Sequence, residues 1–464
     1  MTSQAFFVLA LPCSLILYYW LFRTPRAKTW FLCISSLVLY ALGGWQYLLI
    51  LVGLSLATYW MALWKRPMLG IVLNLLALIL FKYWNFGAGT LNGMLEAIRG
   101  TSILPYLSIG LPLGISFYVF KHIGYLLETR QAHYPPCRDF TTFLTYSAFF
   151  PQIPAGPISD FQHTSSQFPN LPDGLSPAAA YEGILRISMG LAKKILIANT
   201  ISTGLASQNL LDLHGSLPAW FMVIAYACEL YFDFSGYSDI ALGVARFFGV
   251  NFPINFNNPY LAITASQFWE RWHISLSSWF RYYLFSPISR ILLKKNLIGN
   301  KDAIQVQANL LTMALIGLWH GAAWTFILWG GYHGVLLSLD GLLRRYGRIK
   351  FPLLIRRAFL LFAVLVGWAI FMSPDLGSMS HLLGQMFGFG GIGSVEDLRS
   401  LGQGPLAISV LAGIVTAFSG IAESSDVHNR FPGSNRWAPV AWGVLAALAI
   451  LRMGTHIDFL YMQF

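Results

Sequence analysis

The sequence predicts an all-α protein that crosses a membrane many times, and three observations carry that reading. Hydrophobic residues make up 56% of the 464-residue chain and charged residues only 11%, where soluble domains carry roughly 25% charged residues. Apolar segments follow one another near 5–22, 30–45, 47–64, 68–82, 103–126, 141–154, 181–206, 217–249, 274–293, 309–339, 352–373, 405–421 and 437–453. The polar pieces between them, near 127–140, 159–180, 389–404 and 422–436, are too short to be domains. A spanning helix needs roughly 20 apolar residues, and several segments are too long or too interrupted for one crossing each. About 11 spanning helices with short re-entrant pieces are therefore expected. Residues 1–464 read as a single integral-membrane domain, so any chemistry takes place within or at the edge of the helical bundle.

The first run, Ala5 to Phe22, has no basic residue before it and no small-residue cleavage site, and reads as a retained helix. Basic residues gather in short loops: Arg23, Arg26 and Lys28; Lys65 and Arg66; Arg344, Arg345, Arg348 and Lys350; Arg356 and Arg357. Such clusters orient membrane helices and attract anionic headgroups. A hairpin through Gly43-Gly44 puts the first two clusters on one side, which predicts that both are cytoplasmic and the N-terminus outside. The formal charge of +11 is thus a membrane signature. No basic, aromatic-interleaved soluble face points to nucleic acid. The four cysteines (Cys13, Cys33, Cys137, Cys228) are scattered without a CxxC, and suggest neither a disulfide framework nor a zinc site.

Two apolar stretches cannot be uninterrupted helices: Gly110 to Gly114, and Pro151 to Pro157. Irregular backbone at membrane depth persists only where protein buries it or where it lines a wet cavity. These stretches are candidate cavity walls, although a helix end at the interface would explain the second equally well.

The run from Asn309 to Leu339 carries no acidic or basic side chain, and within it stands Leu318-Trp319-His320-Gly321. An ionisable group at such depth is costly and reads by default as functional. His320 is the first candidate. His122, His273 and His333 also lie in or beside apolar segments, where a structural interhelical hydrogen bond is the competing reading. His333 reads as structural.

A second stretch, Phe268 to Ser277, holds Trp269, Glu270, Arg271, Trp272 and His273 before an apolar helix. On a helix, Trp269 and Trp272 share a face, as do Glu270 and His273. It is either an aromatic interface belt or the polar rim of a substrate entrance with His273 facing inward. A third stretch, Tyr231 to Asp239, places Asp233, Tyr237 and Asp239 in an apolar context. The two aspartates either serve a wet cavity or pair with Lys193, Lys194 or Arg246. No metal-ligand motif or Walker lysine accompanies them.

One histidine in a membrane cavity suits a general base that takes the proton of a hydroxyl as it attacks a carbonyl. The reference pKa near 6.5 fits, and attack on a thioester needs no metal. A Ser-His-Asp reading has no GxSxG behind it.

These motifs, in order, resemble the membrane-bound O-acyltransferase (MBOAT) family in its bacterial polysaccharide O-acetyltransferase branch. The resemblance rests on Phe81 to Phe86, Leu111 to Tyr118, Phe150 to Ile158, residues 231–241, Asn255 to Tyr260, Arg271-Trp272-His273, Leu318 to Thr325 and the tail Phe459 to Phe464. It implies that His320 is the family's essential membrane histidine and His273 its second polar partner. It also implies a ring of tilted helices around a thin centre with a through-going tunnel, a cytoplasmic acyl donor such as acetyl-CoA, and no bound cofactor or metal. An extracytoplasmic partner protein would complete transfer to a polysaccharide, and the setting would be the bacterial inner membrane. Trp319, Asp239, Tyr237, Gln152, Arg271, Trp272 and Asp233 are the candidate tunnel or substrate residues. The chain departs from the branch after His273: Arg281-Tyr282-Tyr283 stands where Arg-Asp-Tyr is usual, and Ser286 to Arg290 replaces a glycine turn.

Three other readings compete: D-alanyl transfer to teichoic acid from a carrier protein, a proton-coupled transporter using His320 with Asp233 or Asp239, and a non-catalytic export subunit. Inverted repeats would mark a transporter, and none is visible in the sequence.

Overall fold

A computed structural model describes residues 4–206, 208–295, 300–347, 351–394, 396–397, 405–419 and 438–453. The polar segment 422–436, His428, His456, Arg348, Lys350 and the tail 459–464 lie outside the described residues. The described chain is helical throughout, with no strand. Among the described residues, five helices are long and apolar enough to cross a membrane: Trp45–Leu63, Pro67–Arg99, Ser216–Phe247, Trp324–Tyr346 and Leu353–Met372.

The helices begin where local chemistry permits. Thr24 caps Pro25–Ala41, its hydroxyl accepting from the Ala27 N–H with proline at the first helical position. Asp139 caps Phe140–Ala148, Asn300 caps Lys301–His320 and Asp375 caps Leu376–Met386 in the same manner. The two Pro- and Gly-rich stretches are non-helical, as expected. Gly114 takes φ +68° to start Ile115–Arg130, and a Cβ there would collide with the Ile153 carbonyl of the second stretch.

The chain forms two compact units, Met1–Ile184 with Ala241–Pro253, and Leu185–Ile240 with Ile254–Phe464. The first is tied internally by a buried polar network. His122 reaches Asn74 Oδ1 (2.9 Å) through Nδ1 and Ser147 Oγ (2.7 Å) through Nε2, and Ser55 joins Ser147 at 2.9 Å. Such interhelical bonds hold membrane helices that no hydrophobic force drives together. His122 is therefore fully accounted for as structure.

In the second unit the charge-free Asn309–Leu339 run is not one segment. It breaks into two helices, Lys301–His320 and Trp324–Tyr346, which pack as a close hairpin. Glycines make the approach possible. A Cβ on Gly317 would meet the Phe326 carbonyl, one on Gly330 the Met313 carbonyl, and one on Gly334 would lie 3.0 Å from the Leu310 Cα. Gly317-x-x-x-Gly321 on one arm thus faces Gly330-x-x-x-Gly334 on the other, a spacing that lets backbones touch. The turn at Gly321 leaves His320 as the last residue of its helix.

Candidate active site

His320 is 4% exposed and ringed by aromatic side chains. Its ring centroid lies 4.8 Å from Trp319, 5.0 Å from Trp329 and 5.3 Å from Phe371. Edge-to-face geometry dominates, as the ring quadrupoles prefer. Trp329 comes from the other arm of the hairpin and Phe371 from Leu353–Met372, so three helices converge on the imidazole.

His273 belongs to the same cluster. It is fully buried, 4.6 Å from Phe234 and 6.0 Å from Trp319 between ring centroids. Trp319 thus touches both histidines. The backbone of His273 is left-handed, at φ +43° and ψ 56°, and it caps the short Ile274–Phe280 helix. A non-glycine residue held there costs on the order of 1–3 kcal/mol and clusters at functional sites. The turn is over-determined by neighbours: the Ile274 N–H donates to Asn255 O (2.9 Å), the Ser275 N–H to Asn255 Oδ1 (3.2 Å) and the Asn257 N–H to Arg271 O (3.0 Å).

This geometry corrects the helical-face argument for residues 269–273. The helix there runs only Ala265–Trp269, and residues 270–273 form a turn. Glu270 and His273 therefore do not share a helical face: Glu270 is exposed and His273 buried. Trp269 and Trp272 enter the cluster separately, Trp269 on Trp329 (5.7 Å) and His333 (5.2 Å), Trp272 on Trp368 (4.9 Å) and Phe268 (5.6 Å). Arg271 is half-buried beside them.

The aspartates sit elsewhere in the same unit and are occupied by cations. Asp239 pairs with Lys193 at 2.7 Å and with Arg186 at 3.5 Å, and Asp233 pairs with Lys194. Gly190 and Gly236 bring the backbones of these two helices together, which lets the short aspartate side chains reach. Arg246 turns instead to Glu182, at 2.9 Å. Tyr237 is buried on the same helix as the aspartates.

Gln152 lies in the first unit. Its amide donates to Pro157 O (2.9 Å) and Ser159 Oγ (3.0 Å), and its carbonyl accepts from Lys121 Nζ (2.9 Å). It does line a cavity with Lys121, Gly156 and Pro157, but one of only about 10 Å³, room for about one water.

Residue-by-residue reading missed Trp329, Phe371 and Phe234, which supply much of the wall around the two histidines. It left out Arg186 as well. His333 is buried against Trp269, Trp329 and Phe268, and its Nε2 has no hydrogen-bond partner among the described residues. No three His, Cys, Asp or Glu side chains among the described residues are grouped as a metal would need.

The chain was compared with known proteins. Residues 45–380 match MBOAT, the membrane-bound O-acyltransferase family. The chain is 35% identical over 440 residues to the probable alginate O-acetylase AlgI of Azotobacter vinelandii, covering 91% of this chain and 85% of that protein. Its Pseudomonas aeruginosa counterpart is 36% identical over 91% of this chain and 81% of its own length. The peptidoglycan O-acetyltransferase of Helicobacter pylori is 32% identical, with 80% and 76% covered. The teichoic acid D-alanyltransferase of Streptococcus thermophilus is 31% identical, over 49% of this chain and 56% of its own.

Proposed function

The chain belongs to the membrane-bound O-acyltransferase family and is an O-acyltransferase, and from that premise we propose that it moves acetyl groups across a bacterial inner membrane. The donor is a cytoplasmic thioester, acetyl-CoA, and the acceptor a hydroxyl of an exported polysaccharide, reached through an extracytoplasmic partner protein. Residues 1–464 act as one integral-membrane domain, about 11 helices in a ring around a tunnel. One observation carries the assignment of the site: a single tryptophan, Trp319, packs on both His320 and His273 inside a buried aromatic wall.

In this mechanism His320 accepts the proton of the acceptor hydroxyl as its oxygen attacks the thioester carbonyl carbon. The tetrahedral oxyanion collapses, the C–S bond breaks, an ester C–O bond remains, and the imidazolium returns its proton to the thiolate. His320 closes its helix, and a helix C-terminus favours the positive charge that the imidazole acquires. His273 orients the acceptor or the thioester. The rings of Trp319, Trp329 and Phe371 exclude water that would otherwise hydrolyse the donor. Trp272, Arg271 and Tyr237 are secondary wall residues. Asp233, Asp239 and Gln152 are bound to their own partners, which supports structural roles for them.

D-alanyl transfer from a carrier protein is the second reading. The relatives named for it match only about half of this chain, whereas the acetylases match 80–91%, which favours acetyl. Purified protein supplied with labelled acetyl-CoA, native against His320→Ala, tests the proposal. Acyl transfer by the native chain and its loss in a folded variant is expected. Equal transfer by both would overturn the role of His320, and transfer only from acylated carrier would favour the second reading.

A further inference from the structure

A cavity of about 240 Å³ opens in the second unit beside the His320 helix. From that helix Gln305, Asn309, Thr312, Met313 and Ile316 line it, a stripe with helical spacing whose next step is His320. Facing them are Trp269 and Ser277, with Glu270, Arg281 and Arg344 on more exposed positions. Trp269 packs on Trp329, which packs on His320, so two ring contacts lead from the cavity wall to the base.

Two of the lining groups are chemically unfinished. Thr312 Oγ1 and Trp269 Nε1 are each on side chains about 5% exposed, and neither has a hydrogen-bond partner among the described residues. Leaving a buried donor unmade costs about 1–3 kcal/mol. Both can donate, and the indole can do nothing else. A ligand carrying carbonyl acceptors along a narrow, partly apolar arm completes them.

We propose that Thr312 and Trp269 are specificity-determining residues that hydrogen-bond the amide carbonyls of a phosphopantetheine arm delivering the acyl thioester to His320. This rests on the thioester reading above and adds which side chains recognise the donor. Arg281 lines the same cavity and stands on a helical run that continues into Arg290 and Lys294, and this charge faces the arm's phosphate end. Arg344 is engaged with Ser266 Oγ (3.0 Å) and Asp340 (3.7 Å) and serves the wall.

The test measures binding and turnover separately on detergent-purified full chain. Binding of CoA, free pantetheine and a phosphopantetheinylated carrier protein is followed directly, and acetyl transfer is followed with the thioester of each. Thr312→Val keeps shape and removes the donor, Thr312→Ser restores it, and Trp269→Phe removes the indole N–H. Val and Phe variants are expected to bind pantetheine and CoA about tenfold more weakly, a loss on the order of one hydrogen bond. That change falls on KM rather than kcat, and Ser recovers it. Arg281→Gln is expected to weaken CoA but not pantetheine. Whether CoA or the carrier binds more tightly to the native chain identifies the source of the arm. If the native chain transfers acetyl and Thr312→Val and Trp269→Phe bind the arm unchanged, the cavity holds only water and the inference fails. If neither CoA nor the carrier binds the native chain, it fails as well. If binding responds as expected but no acetyl is transferred, the recognition stands and the proposed reaction is what falls.

Discussion

The second unit buries polar side chains in two different ways. Along Ser216–Phe247, Asp233 and Asp239 meet Lys194, Lys193 and Arg186, and the charges close on one another. Around the Lys301–Tyr346 hairpin, His273, His320 and His333 are buried among rings, with unfinished donors on Thr312, Trp269 and Trp329 nearby. The first arrangement spends its charges on helix packing: that helix is 78% buried, against 22–39% for the other four candidate spans. The second leaves hydrogen-bonding capacity that only a ligand or water can complete. Closure of the polar groups, more than their burial, separates scaffold from site.

The sharpest way to break this contrast is at the two ends of it. His320→Ala is expected to lower acyl transfer by about 10²–10⁴-fold, the usual worth of a general base, while the protein elutes and melts like the native chain. Asp233→Asn should do the reverse. Leaving Lys194 buried without its counter-charge costs about 3–5 kcal/mol, read as a lower melting temperature in detergent, with turnover per folded molecule near native. Joining it to Lys194→Met should recover most of the stability, and a double variant as unstable as the single one would remove the ion pair from the scaffold. His273→Asn keeps a residue that tolerates the left-handed backbone. It is expected to lower kcat more than tenfold while changing stability by less than about 2 kcal/mol; native kcat would make His273 part of the packing alone.

The smallest effect belongs to a cap outside both regions. Hydrogen bonds from the Ser378 N–H and hydroxyl hold the Asp375 carboxyl below the usual carboxylate range. Its contribution is present above the unfolded pKa and fades as pH falls through the lower folded value. Asp375→Ala should therefore melt slightly earlier than native at pH 7, with the gap closing in strongly acidic buffer and turnover unaffected at pH 7.

Much of this was legible in the chain. Hydropathy located the apolar helices, the absence of charge around His320 singled it out, and the aspartate–lysine pairing was among the alternatives for residues 231–239. The break at Gly321 was not legible. Residues 309–339 contain no proline and no polar cluster, and what ends the helix is the glycine-lined contact with its returning arm. His273 in a left-handed turn was hidden for a related reason, since Asn255 holds it from 18 positions upstream. Trp329 and Phe371 gave no local signal at all, because each reaches His320 only once the hairpin and the next helix have closed.

The hairpin also acts as a ruler. Lys301 and His320 are the two ends of one helix of 20 residues, ~30 Å at 1.5 Å per residue, and Gln305 to Ile316 spans ~16 Å of it. A backbone clamped by its glycines cannot stretch or shorten that scale. The reach of the donor is then read against a fixed length: a truncated thioester such as an N-acetylcysteamine ester carries the right reactive group on too short a tether. Selection by length would screen the small acyl thioesters of a cell without any contact to the acyl group itself.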